Sequence, residues 1–116
     1  MKITRVCVSE DGGSLFEDVD VPLADGGELG RLSEPVAVSG VIFRESAADD
    51  DLDWHNAPQR QLIVLLDGEI EVEVTSGEKR RFIGGDVLQV EDTTGTGHRT
   101  KNVGGTLRHS LFIPLT

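Results

Sequence analysis

Three histidines carry most of the chemistry this chain could do. His55 opens the segment Trp54-His55-Asn56-Ala57-Pro58-Gln59-Arg60-Gln61, and His98 closes Glu91-Asp92-Thr93-Thr94-Gly95-Thr96-Gly97-His98. A neutral imidazole offers one lone pair, either to a divalent metal or to the proton of a bound molecule. Two of them, far apart in sequence, must be brought together by pairing strands, which is how a barrel assembles a site at its mouth. His109 lies in the apolar run Leu107-Arg108-His109-Ser110-Leu111-Phe112 and reads as a core or interface residue. Other chemistries find less support. Gly95 and Gly97 suggest a phosphate loop, but neither Gly-Lys-Ser/Thr nor a helical period follows them. The aspartates of Ser46-Ala47-Ala48-Asp49-Asp50-Asp51-Leu52-Asp53 lack the alternation, the glycine and the terminal glutamate of a calcium loop, so they read as an acidic connection. No Gly-x-Ser-x-Gly elbow is present, and there is no tyrosine. The single thiol, Cys7, sits among Ile3, Val6 and Val8 and reads as a small buried hydrophobe.

The elements that must position the histidines are strands. Gly pairs at 12–13, 26–27, 84–85 and 104–105 punctuate short runs of Val, Ile, Leu and Phe, the spacing of an all-β sandwich or barrel. Strands are expected over residues 2–8, 36–44, 61–66, 69–75, 79–83, 87–90 and 107–115. Residues 61–66 are continuously apolar after Gln61, which predicts cover on both faces. Residues 69–75 alternate strictly, with Ile70, Val72 and Val74 inward and Glu69, Glu71 and Glu73 outward. The turn Ser76-Gly77-Glu78 leads into Lys79-Arg80-Arg81, so opposite charges should face each other across a hairpin. No helical period is convincing beyond one turn within residues 23–33.

These elements and the two histidine segments together resemble the cupin superfamily. Its first motif, Gly-x5-His-x-His-x(3,4)-Glu-x6-Gly, is matched by His55-x-Ala57-x3-Gln61-x6-Gly68. Its second, Gly-x5-Pro-x-Gly-x2-His-x3-Asn, is matched by Gly85-Asp86 and then Gly95-x2-His98-x3-Asn102, with about two residues inserted and Thr93 where proline is usual. The resemblance implies a single-domain conical β-barrel of jelly-roll type over residues 1–116, commonly a homodimer, formed by exchange or addition of the N-terminal strand around residues 2–8. It also implies a divalent transition metal (Fe, Mn, Ni or Zn) held by His55, Gln61 and His98. Ala57 stands where the family has a second histidine, and Gln61 replaces its glutamate. The set is therefore neutral, and an ion there would keep its full charge to polarise a substrate oxygen. A longer spacing would instead put Trp54 and Asn56 at the histidine positions and turn His55 to the opposite face. Asp92, six residues before His98, is the candidate catalytic base. Trp54, Asn56, Gln59 and Asn102 are candidate pocket residues.

The bulk composition sets the outer limits. The chain has 116 residues, enough for one domain with its own core. A net charge of −10 supplies no cationic face for nucleic acid and disfavours anionic membranes. One cysteine forms no internal disulfide, and the polar N-terminal residues lack a signal peptide's apolar run, so a cytoplasmic setting is expected. Three functions remain open: a metal-dependent enzyme on a small molecule (dioxygenase- or isomerase-like), a metal-free small-molecule-binding or sensory module, and a structural dimer with a filled barrel.

Overall fold

The computed structural model describes residues 1–116. It contains twelve strands: β1 (Lys2–Val8), β2 (Ser14–Asp20), β3 (Ala24–Asp25), β4 (Arg31–Leu32), β5 (Ile42–Ser46), β6 (Asp51–His55), β7 (Gln61–Leu65), β8 (Glu69–Glu73), β9 (Lys79–Ile83), β10 (Val87–Val90), β11 (His98–Val103) and β12 (Arg108–Pro114). A six-stranded sheet in the order β2-β1-β10-β7-β12-β5 faces a four-stranded sheet in the order β6-β11-β8-β9. β3 and β4 form a small separate hairpin around a 3-10 turn at Gly27–Leu29, the one turn of helix expected in that region. No helix is long and apolar enough to cross a membrane.

The core lies between the two sheets. Val6, Phe16, Leu65, Leu88 and Val90 from the larger sheet meet Ile70, Val72, Val74 and Phe82 from the β8–β9 side. Period-two alternation produces this directly: Ile70 and Val72 are buried while the glutamates between them reach the outer face. There Glu71 and Glu73 pair in register with Arg81 and Lys79, and Arg81 Nε lies 3.5 Å from Glu71.

Several elements differ from the expectation. β2 was not anticipated; Glu17, Asp18 and Asp20 obscure its alternation, yet it pairs with β1 along its whole length and buries Ser14 and Phe16. The strand expected at 36–44 begins only at Ile42. Residues before it are exposed and attach to the C-terminus through an isolated bridge between Val38 and Leu115, because Gly40 interrupts the run. The acidic connection at 46–53 is in part strand β6. Its aspartates tolerate a strand because they stand at a sheet edge opposite basic residues: Asp51 pairs with Lys101, and Asp53 lies 3.5 Å from Arg99. On β7 the outward Leu62 and Val64 remain half-exposed, so cover on both faces is incomplete. Cys7 is half-exposed rather than buried, sharing the outer face with Arg5 and lying 3.2 Å from Glu17 Oε1. β1 has neighbours on both sides, β2 and β10, so it offers no free edge for strand addition; the free edges of that sheet are β2 and β5.

Candidate functional site

A cavity of about 180 Å³ lies between the sheets, walled chiefly by aliphatic side chains of β1, β7, β8 and β10. Its polar wall residues are few: His55, Gln61, His98 and Thr100, and a second group of Arg44, Arg108 and Ser110.

The histidine pair is a product of strand register. β6 and β11 run antiparallel with His55 directly opposite His98, and the ring centroids are 4.5 Å apart. The register then slips, since Thr100 pairs with Leu52 rather than Asp53. This bulge in β6 lets both Leu52 and His55, an odd number of residues apart, line the cavity. Gly97 makes the approach possible. It has φ +80°, and a Cβ on it would lie 1.9 Å from the carbonyl oxygen of His55.

Each imidazole is held by its Nδ1. His98 Nδ1–H donates to Asp92 Oδ2 at 2.5 Å, and His55 Nδ1–H donates to the carbonyl of Asp53 at 2.7 Å. With both Nδ1 atoms engaged on acceptors, Nε2 is the ring nitrogen left for the cavity in each case. Asp92 is fully buried and does not line the cavity, so the carboxylate proposed as a base reaches a bound molecule only through His98. The loop carrying Asp92 is pinned by Ala57 N–H, which donates to the Asp92 carbonyl, and by Asn56 Nδ2, which donates to the carbonyls of Asp92, Thr94 and Gly95.

Gln61 comes from the other sheet, at the start of β7. It is 1 % exposed, lines the cavity, and its Oε1 has no hydrogen-bond donor. An orphaned buried amide oxygen is costly, of order 1–3 kcal/mol, unless something in the cavity satisfies it. His55, Gln61 and His98 thus line one cavity. The four candidate pocket residues lie outside it. Trp54 alternates to the outer face of β6, with Arg99 stacked 5.8 Å from its ring. Asn56 is the loop staple just described. Gln59 is exposed in the turn before β7. Asn102 Nδ2 clamps the loops on either side, donating to Ala48 O at 2.6 Å and Thr106 O at 2.8 Å. His109 is on the outer face of β12, where Nδ1–H donates to Asp67 Oδ2 at 2.7 Å and Nε2 lies 3.1 Å from Glu45 Oε2. Asp67 and then Glu45 raise its pKa.

The sequence reading missed Arg108, Arg44 and Ser110. Arg108 stands four residues before Phe112, which also lines the cavity, so a period-two count along β12 places its side chain inward. Burial, and next the neighbouring Arg44 guanidinium, lower the Arg108 pKa from the ordinary arginine value, while Asp50 and Asp67 oppose this.

A divalent metal would need donors that converge on one point. No three His, Cys, Asp or Glu side chains converge anywhere in the chain. The group that fits is narrower: two imidazole Nε2 atoms and the orphaned Gln61 Oε1, three neutral donors without a carboxylate.

No protein-family model and no curated protein matches the chain. Solved structures do. The cupin domain of Cnp3 from Schizosaccharomyces pombe is 17% identical, with a TM-score of 0.50, over 99% of this chain and 84% of that one. A Salmonella typhimurium protein designated ethanolamine utilization protein Q is 16% identical, with a TM-score of 0.49, over 99% of this chain and 95% of that one. The class follows from the fold: the chain is an all-β barrel of the cupin type.

Proposed function

We propose that this cupin binds a small organic molecule in the cavity between its sheets, with His55, His98 and Gln61 as the polar groups that recognise it. The observation that carries the reading is the engagement of both imidazole Nδ1 atoms on protein acceptors, which leaves two Nε2 atoms and the unsatisfied Gln61 Oε1 at a cavity whose wall is mostly aliphatic. A few convergent polar groups in an apolar concavity is the usual make-up of a ligand site. The size favours a small ligand, since an apolar cavity of about 150 Å³ takes up one benzene. Where the bound molecule carries an exchangeable proton, His98 Nε2 is the group that accepts it. Asp92 then steadies the imidazolium through Nδ1 and acts as a positioning residue.

The test is an NMR screen of organic fragments, reading the ring resonances of His55 and His98 in the full chain. Saturable shifts in the wild type, lost in the cavity-filling variant Ala57→Leu, are expected; Ala57 is 4 % exposed and lines the cavity. Ring resonances indifferent to every fragment would defeat the proposal.

A second reading has its own observation. A carboxylate on the far nitrogen of an imidazole is the outer contact that commonly orients metal-binding histidines, and Asp92 makes it to His98. A divalent transition metal would be held by His55, His98 and Gln61. It would supply Lewis acidity toward a ligand oxygen, as in a metal-dependent enzyme. Elemental analysis of protein purified without chelator separates the readings. About one ion per chain, absent in His98→Ala, supports the metal; none after incubation with Fe(II), Mn, Ni and Zn removes it.

A further inference from the structure

Resting on the reading of the cavity as a small-molecule site, we propose that Arg108, Arg44 and Ser110, with Ser46 beside them on the same sheet face, form a carboxylate-binding subsite at its β5–β12 wall, so that the ligand is a small monocarboxylic acid. The four residues form a square on the sheet. Arg108 is directly opposite Ser46, and Ser110 directly opposite Arg44. Residues opposite each other, and two apart, share a sheet face, so all four side chains project from one side. All four are donors.

Their donors are short of acceptors. Arg108 is 2 % exposed and its side chain makes no hydrogen bond; its Nε is buried without a partner, as are Ser46 Oγ and Ser110 Oγ. The nearest carboxylate oxygen to Arg108 is Asp50 Oδ2, 3.7 Å from Nη2, beyond hydrogen-bond length. Arg44 Nη2 lies 3.4 Å from the same oxygen, so two guanidinium groups share one carboxylate. The other carboxylate near Arg108, Asp67, is committed to His109. Asp50 and Asp67 act on Arg108 through space only, so its guanidinium has charge partners but no hydrogen-bonded carboxylate, which a ligand carboxylate would supply.

The fold maintains this arrangement at some cost. A buried guanidinium without hydrogen bonds is strongly unfavourable. Gly68 nevertheless leaves room for Arg108, because a Cβ there would lie 2.5 Å from Arg108 Cγ. The planar guanidinium fork matches a carboxylate in two parallel hydrogen bonds, and the serine hydroxyls can donate to its remaining lone pairs. The aliphatic cavity wall suits a short apolar body on that headgroup.

The experiment titrates butyrate, butyramide and inorganic phosphate into the full chain. It reads the Arg108 Nε–H resonance together with the His55 and His98 ring resonances. Butyrate is expected to move Arg108 Nε–H saturably and to bind at least about tenfold more tightly than butyramide. Arg108→Gln and Arg44→Gln should each remove that preference. Arg44, 30% exposed in its side chain, provides the variant if Arg108→Gln does not fold. Equal binding of butyrate and butyramide overturns the carboxylate subsite, as does preference for phosphate. Fragments that shift the histidine rings while no anion moves Arg108 Nε–H overturn the subsite and leave the small-molecule reading standing. Cavity resonances unmoved by any probe overturn both.

Discussion

Replacing Gly97 by alanine tests why the two histidines can meet. The added Cβ would lie 1.9 Å from the carbonyl oxygen of His55, where real Cβ contacts do not fall under 3.0 Å, so the strands must separate by 3.0 − 1.9 = 1.1 Å. No side-chain rotation relieves this, because the obstacle is backbone. Gly97 is also held from the other sheet, since its carbonyl accepts a 2.6 Å hydrogen bond from Ser14 Oγ of β2, and a shift that lost this bond would orphan a buried acceptor at about 1–3 kcal/mol. The positive φ adds about 1–2 kcal/mol for any L-residue. Gly77→Ala is the control: its φ is +91°, but nothing lies within 4 Å of its Cβ, so it bears the backbone term alone. Urea unfolding should show Gly77→Ala losing about 1–2 kcal/mol and Gly97→Ala about 3–5 kcal/mol. Cross-relaxation between the two imidazole rings should also weaken in Gly97→Ala. Equal losses in the two variants, or an undisturbed ring contact in Gly97→Ala, would refute the argument that glycine at 97 permits the His55–His98 approach.

Other outcomes follow from the same geometry. Asp92→Ala leaves the Nδ1–H of buried His98 without an acceptor and should cost about 2 kcal/mol in urea unfolding, with Asp92→Asn losing less because it retains an acceptor oxygen. His109 should titrate above the ordinary value of about 6.5 by NMR and fall back toward it in Asp67→Asn. Because its folded pKa is raised, its contribution to stability is complete below about pH 6.5 and fades as pH rises through the folded value. The Asp67 pKa is lowered by His109, so its contribution holds above about pH 3.9 and fades as pH falls through its folded value. The pair thus stabilises most between about pH 4 and 6.5, a window that Asp67→Asn should flatten, leaving only the smaller Glu45 contribution to His109. A homodimer formed through the free edge β5, where Phe43 is 82% exposed beside Val41 and Ile42, should appear by light scattering and be abolished by Phe43→Lys; a monomeric wild type would refute it.

Much of the fold is legible in the sequence. The β8–β9 hairpin announces itself because its glutamates and basic residues alternate with Ile70, Val72 and Phe82, and the pleat turns that alternation into an inside and an outside. His55 and His98 could be paired from their places beside strands. The face of β6 was less readable, since the bulge between its paired positions decides that His55 looks inward and Trp54 outward, and a bulge leaves no mark in a period-two count. Asn56 and Asn102 look the same in sequence whether an amide binds a ligand or staples a loop; only their carbonyl partners show that they staple. Arg108 was overlooked for a physical reason as well. A charge in an apolar strand is ordinarily assigned to the solvent face, and here it is the residue whose side chain is buried with no hydrogen bond.

The most direct measurement is the long-range proton–nitrogen NMR spectrum of the histidine rings, recorded at pH 8 with and without the fragments that bind. Both His55 and His98 are expected as Nδ1–H tautomers, their Nε2 resonances alone shifting on addition of ligand. Nε2–H tautomers in the free protein, or Nε2 resonances that no small molecule moves, would contradict the assignment of this cavity as the binding site.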